Sequence, residues 1–88
     1  MTARTFRVTG VVQGVGFRWS AQEEAHRLGL AGWVRNDDDG AVSGFIQGAS
    51  VALEAYRHWL LRGPRSARVD SVDWTETPPT GLRIFIVR

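Results

Sequence analysis

With 88 residues, 43% of them hydrophobic, the chain is long enough for one domain with a core of its own. Its apolar runs are far shorter than the roughly 20 residues that a membrane-spanning helix needs, and the lack of cysteine excludes disulfides, a thiolate nucleophile and thiolate metal ligands. The net charge is only +2, and all eleven positive side chains are arginines scattered along the chain, a pattern that does not favour nucleic-acid binding.

The first predicted elements are a strand and a helix. Residues 5–12 alternate imperfectly between apolar and polar side chains, as in a strand that is covered mainly on one side. Apolar residues then recur at helical spacing over residues 17–28, and Gly29 stands where a glycine commonly ends a helix. Ser20 and Glu23 match a capping box that would start the helix one turn later. We prefer the earlier start, because it keeps the first aromatic residue on the apolar face.

A glycine-rich loop joins this strand to this helix and is suited to binding an anion. Gly14 and Gly16 allow positive φ angles that expose successive backbone N–H groups, and the helix points its unpaired first-turn N–H groups at the same place. Arg18 adds a planar set of donors that matches phosphate geometry. An ordinary strand-to-helix turn with a surface arginine is the alternative. The predicted phosphate-binding residues are Gln13, Gly14, Val15, Gly16, Phe17 and Arg18.

Two further strands, residues 31–35 and 41–47, flank the turn formed by residues 36–40. The Asp-Gly pair at the end of this turn is a hairpin signal, so we expect the strands to be antiparallel neighbours. The turn carries three aspartates, but it lacks the alternating ligands and the later glutamate of a calcium-binding loop. We therefore interpret it as a solvated turn.

The second half of the chain contains one predicted helix and two strands. Ser50 is the expected N-cap of the helix, and Gly63-Pro64 ends it. Residues 69–74 and 82–87 are the last two predicted strands. The apolar face of the helix consists of Leu53, Tyr56 and Leu60.

We expect the histidines and tryptophans to have structural roles or to lie on the surface. His26 and His58 lie in the predicted helices without a His or Cys at ligand spacing, so we expect no metal site and no cofactor. The tryptophans are expected to pack in the core or at its edge. They are Trp19, Trp33, Trp59 and Trp74.

The order of these elements is strand, helix, strand, strand, helix, strand, with a further strand at the end. This order predicts an α+β class, ferredoxin-like βαββαβ sandwich, with two helices packed on one face of a mainly antiparallel four- to five-stranded sheet. We expect residues 1–88 to form one such domain. The fold alone does not decide the function, because enzymes, regulatory modules and RNA-binding modules share it.

Two stretches resemble the signatures of the acylphosphatase family. Residues 10–18 match G-x-V-Q-G-V-x-F-R, and residues 32–42 match G-W-V-x-N-x-x-D-G-x-V. The resemblance implies a metal-independent phosphohydrolase (EC 3.6.1.7) that converts acyl phosphates to a carboxylate and inorganic phosphate. It also implies catalytic roles for Arg18, which would hold the phosphoryl group in the Gln13–Arg18 backbone loop, and for Asn36, which would position the attacking water. Many members have threonine where this chain has Ala21, which removes a hydroxyl near the site.

Several expectations about partners follow from this resemblance. The substrate is a small acyl phosphate, inorganic phosphate or sulfate competes for its site, and neither nucleic acid nor membrane takes part. We also expect a free-standing, monomeric, cytoplasmic enzyme, since the N-terminus lacks a signal-like region and no zinc-finger or carbamoyl-transfer segment flanks the domain.

Two other classes of function remain as alternatives. A regulatory module of the same fold would bind an anion in the glycine loop without turning it over, and it would have no need of Asn36. An RNA-binding module would expose several aromatic residues on a central strand, where residues 42–48 offer only Phe45.

Overall fold

Two helices packed on one face of a five-stranded sheet form the structure, a computed structural model that describes residues 1–88. The strand order is β4-β1-β3-β2-β5, and neighbouring strands are antiparallel except for the parallel pair β2–β5. This confirms the predicted ferredoxin-like α+β sandwich. No helix has the length and apolar character needed to cross a membrane. The elements are β1 (Thr2–Val11), α1 (Phe17–Arg27), β2 (Ala31–Asn36), β3 (Val42–Gly48), α2 (Ser50–Leu60), β4 (Arg68–Thr77) and β5 (Phe85–Val87).

The core lies between the helices and the sheet face that carries Phe6 and Val8 of β1. It comprises 14 buried residues, including the predicted apolar face of α2. Tyr56 of α2 is fully buried and its hydroxyl donates to the carbonyl of Ala21 at 3.2 Å. Burial raises the pKa of Tyr56 above its ordinary value, since the phenolate would lose its hydration there. The hydroxyl therefore stays protonated and remains a donor that ties α2 to α1.

The outer strands differ in length from the prediction. β1 begins at Thr2 rather than at residue 5, because it pairs from its first residues with β3. β4 extends over residues 68–77 rather than 69–74, because it pairs with β1 along nearly its whole length. The polar residues that interrupt β4 are tolerated because they point to the open face of an edge strand.

β5 is shorter than the predicted strand over residues 82–87 and contains only Phe85–Val87. Residues 80–82 of the preceding segment are held by a side chain, and only Ile84 is bonded to β2, through the N–H of Gly32. Gln47, which is buried, donates to the carbonyls of Thr80 at 3.0 Å and Leu82 at 2.8 Å. These bonds satisfy backbone groups that would otherwise need strand pairing.

The helix boundaries confirm one choice and correct another. α1 begins at Phe17, after Gly16 in the left-handed conformation with φ 77°, so the later start at the capping box is wrong. In α2 the N-cap is Ala49, and Ser50 is the first helical residue without a capping side-chain bond. The helix starts one residue earlier than the capping preference of serine suggested, because Leu53 already donates to the carbonyl of Ala49.

Two of the four tryptophans pack against the core as expected, and two do not. Trp59 contacts the ring of Phe17 with centroids 5.4 Å apart, and Trp74 packs against the core. Trp33 is half-buried on the opposite face of the sheet, below the guanidinium of Arg88. Trp19 is 67% exposed, so the prediction that it packs in the core or at its edge is wrong. Its position in α1 faces away from the buried side, which carries Phe17 and residues one and two turns later.

Candidate active site

The carboxyl ends of three strands lie together at one end of the sheet. β1 and β2 both run antiparallel to β3, which lies between them, and β5 runs parallel to β2. The loop after β1, the last residue of β2 (Asn36) and the residue after β5 (Arg88) therefore lie at this end. A cavity of about 160 Å³ opens there, lined by Val12, Gly14, Gly16, Phe17, Arg18, Trp19 and Asn36.

The glycine loop presents a run of free backbone donors. None of the N–H groups from Gln13 to Trp19 donates to a carbonyl or side chain of the protein. The first donor after them is the N–H of Ser20, which bonds the carbonyl of Gly16 at 3.0 Å. Gly14 and Gly16 have φ angles of 76° and 77°, in the region that exposes successive N–H groups and that other residues rarely adopt. The N-terminus of α1 adds its dipole to these donors.

Arg18 is held at the edge of this loop by the end of the chain. Its Nη1 donates to the backbone oxygen of Arg88 at 2.7 Å, and its other N–H groups have no protein acceptor. Arg88 is itself fixed, because its N–H donates to the carbonyl of Val34 at 2.8 Å and its guanidinium lies 4.6 Å from the ring centre of Trp33. The contact with Arg88 therefore orients the guanidinium of Arg18 and leaves its remaining donors for an anion in the cavity.

The Gln13 side chain ties the glycine loop to the β2–β3 turn. Its Nε2 donates to the carbonyl of Asp37 at 2.7 Å and to that of Ala41 at 2.9 Å. These two bonds set the distance between the loop and Asn36, which precedes Asp37 in the chain. Gln13 and Val15 do not line the cavity, although their backbone N–H groups have no acceptor within the protein.

Asn36 lines the cavity with an exposed side chain that makes no hydrogen bond within the protein. The hairpin turn is closed by other groups. The N–H of Asp37 donates to the carbonyl of Ala41 at 2.8 Å, and a carboxylate oxygen of Asp39 accepts from the N–H of Ala41 at 3.1 Å. The Asn36 amide is therefore free for a molecule in the cavity.

Two of the three carboxylates of the turn, those of Asp37 and Asp39, are paired with arginines. Arg7 bonds Asp37 at 3.1 Å and Asp39 at 2.5 Å, and Arg35 bonds Asp37 at 3.1 Å. Ser43 also donates to the Asp37 carboxylate. The hydrogen bond from Arg7 lowers the pKa of Asp39 below its ordinary value. These pairs offset the negative charge of the turn, and Arg18 is the one charged side chain that lines the cavity.

Larger cavities exist elsewhere but lack this chemistry. One of about 450 Å³ lies at the opposite end of the sheet and has Arg83 as its only ionisable side chain. The amide of Gln47 in its wall is already bonded to Thr80 and Leu82. No group of three or more His, Asp or Glu side chains is arranged to hold a metal ion. The smaller cavity at the glycine loop is therefore the best candidate for the active site.

The geometry does not support the RNA-binding alternative. Phe45, the only aromatic residue of β3, is 7% exposed. A base stacks on an exposed aromatic face, and this ring offers almost none.

Two residues of the site were missed by the sequence analysis. Arg88 was assigned no role, and no local pattern signals its contact with Arg18, because 70 positions separate them. Trp19 was assigned to packing, although its place beside Arg18 in the first turn of a helix after a glycine loop was a usable signal.

The two side-chain bonds of Gln13 predict that substitutions of this residue lower the stability of the protein. Gln13→Ala should lower the free energy of unfolding by about 1–3 kcal/mol, because two carbonyls of the turn lose their donor. Gln13→Glu should cost at least as much at pH 7, since a carboxylate cannot donate to those carbonyls. Urea unfolding measures both. Gln22→Ala is the matched control, because that amide makes one longer bond of 3.3 Å; equal stability of all three variants and the parent would contradict the assigned role.

Comparison with known proteins shows the family to which the chain is similar. The family model described as acylphosphatase matches residues 4–85. An acylphosphatase of Nocardioides sp. is 51% identical over 92% of this chain and 82% of its own length. One of Pseudomonas paraeruginosa is 52% identical over 92% of this chain and 89% of its own length. The crystal structure of an acylphosphatase from Bacillus subtilis superposes with a TM-score of 0.96 at 36% identity, over 100% of this chain and 99% of that one.

Proposed function

This chain belongs to the acylphosphatase family, and we propose that it hydrolyses acyl phosphates without a metal ion or cofactor. The phosphoryl group binds to the backbone N–H groups of the Gln13–Arg18 loop and to the guanidinium of Arg18, and Asn36 positions the attacking water. One observation carries the proposal: residues of the glycine loop with free N–H groups, Arg18 with free donors and Asn36 with a free amide line one cavity.

The leaving group explains why so few residues suffice. A departing carboxylate has a conjugate acid with a pKa of roughly 4, so it leaves without protonation by a general acid. The oxygen of water forms a bond to phosphorus while the bond from phosphorus to the acyl oxygen breaks. A phosphate oxygen of the substrate accepts the proton of the water, because the neutral amide of Asn36 orients water but is not a base strong enough to take it.

The loop and Arg18 stabilise the transition state. Phosphoryl transfer passes through a loose transition state with negative charge on the equatorial oxygens. Fixed N–H dipoles and one guanidinium, already oriented before the reaction, stabilise this charge at no cost of reorganisation. The contact between Arg18 and Arg88 supports this role, because it limits the positions that the guanidinium can take.

The proposal also covers the competing anions, the oligomeric state and the cellular location of the enzyme. Inorganic phosphate and sulfate share the charge and shape of the transferred group, so both should compete with substrate for the loop. We also propose that the enzyme works as a monomer in the cytoplasm. Sedimentation at assay concentration and cell fractionation test these two points.

Chelation tests the metal-independent mechanism. Release of phosphate from acetyl, carbamoyl and benzoyl phosphate should continue unchanged in EDTA, because the bonds to the phosphoryl group come from the protein alone. Simple alkyl phosphate monoesters should be poor substrates, since an alkoxide leaving group needs an acid that the cavity lacks. Activity that disappears with EDTA and returns with magnesium or zinc would overturn the mechanism.

A further inference from the structure

Trp19 is an exposed aromatic residue on the wall of the active-site cavity. Its exposed fraction is 67%, and it lines the cavity with Arg18 and Asn36. The other exposed large apolar side chains do not line this cavity. Single exposed apolar residues are common on protein surfaces, so its position, rather than its exposure, is the informative feature.

The ring of Trp19 has no aromatic or cationic partner within the protein. Trp59 contacts Phe17 and Tyr56, and the other two tryptophans each lie below an arginine. No aromatic ring or cation lies against Trp19. One large flat surface at the cavity is therefore available to a ligand.

The direction of the helix places this surface over the glycine loop. Side chains of an α-helix tilt toward its N-terminus, so a residue in the first turn covers the surface before it in the chain. In α1 that surface is the loop that ends at Gly16. Val12 and Phe17, the other large apolar residues of the cavity wall, are 1% and 2% exposed and offer almost no contact area.

We propose that Trp19 binds the acyl group of the substrate and gives the enzyme a preference for aromatic over small aliphatic acyl phosphates. This inference rests on the proposed function, because it takes the phosphoryl group to lie in the loop. The acyl group must then extend from the loop along the wall of the cavity. An aromatic acyl group stacks on the indole ring and buries apolar area there, whereas an acetyl group is too small to do so.

The test is a ratio of two specificity constants. Trp19→Ala should lower the ratio of kcat/KM for benzoyl phosphate to kcat/KM for acetyl phosphate by about 5- to 10-fold. Trp19→Phe should keep most of the ratio, because a smaller aromatic ring remains. Val51→Ala is the matched control, since Val51 is 83% exposed on α2 and does not line the cavity. An unchanged ratio in Trp19→Ala, or equal losses with both substrates, would overturn the inference.

A binding measurement separates this inference from the proposed function. Benzylphosphonate and methylphosphonate carry the same anionic group but cannot be hydrolysed at an acyl bond. Calorimetry should show that Trp19→Ala weakens benzylphosphonate binding more than methylphosphonate binding. Failure of the proposed function would instead appear in the parent protein, as activity that needs a metal ion or as phosphonate binding outside the loop that Arg18→Lys does not weaken.

Discussion

Arg18→Lys should lower kcat/KM for benzoyl phosphate by a factor on the order of 10³, although the positive charge is kept. Nη1 of Arg18 already donates to the oxygen of Arg88 at 2.7 Å, while its other N–H groups are free for phosphate. The planar guanidinium makes both sets of bonds at once. An ammonium group is a compact charge with three donors, and it cannot reproduce this arrangement from the same backbone position. Steady-state kinetics with benzoyl phosphate measures the loss.

Inhibition by inorganic phosphate should change together with turnover. The same donors bind the product, so phosphate should inhibit Arg18→Lys more weakly than the parent. Arg62→Lys is the matched control, because Arg62 is exposed and its side chain has no bonding partner. If Arg18→Lys keeps near-normal turnover and phosphate affinity, Arg18 does not hold the phosphoryl group.

Asn36→Ala should lower kcat by a factor on the order of 10² or more, with little change in the binding of inorganic phosphate. The Asn36 side chain has no hydrogen bond within the protein and lines the cavity, so its removal leaves the phosphate-binding groups in place. What is lost is the orientation of water in line with phosphorus, which matters only in the transition state. Turnover of benzoyl phosphate and competitive inhibition by phosphate measure the two effects separately.

Stability distinguishes this role from a role in the hairpin turn. Asn36→Ala should unfold at nearly the urea concentration of the parent, because the turn is closed by Asp37, Asp39 and Ala41. Asp38→Ala is the control within the same turn, since Asp38 is exposed and makes no side-chain bond. A variant of Asn36 that unfolds much earlier but keeps its kcat when folded would assign this residue to the turn.

The order of the elements, the class of fold and the glycine loop between β1 and α1 could be predicted from the sequence. Each depends on a local pattern. Helical spacing of apolar residues identified α1 and α2, and the Asp-Gly pair identified the hairpin. The loop was recognised because Gly14 and Gly16 allow backbone angles that side chains disfavour, and that preference belongs to the glycines wherever the chain folds.

Only the tertiary structure decided which groups of the site hold one another in place. Gln13 bonds carbonyls 24 and 28 positions away, and Arg18 bonds an oxygen 70 positions away. No periodicity encodes such contacts, because they arise where the order of strands brings the ends of β1, β2 and β5 together. The lengths of β4 and β5 also depend on pairing with distant segments. The exposure of Trp19 also depends on the tertiary structure. Its residue type favours burial, but no element packs against the face of α1 that carries it.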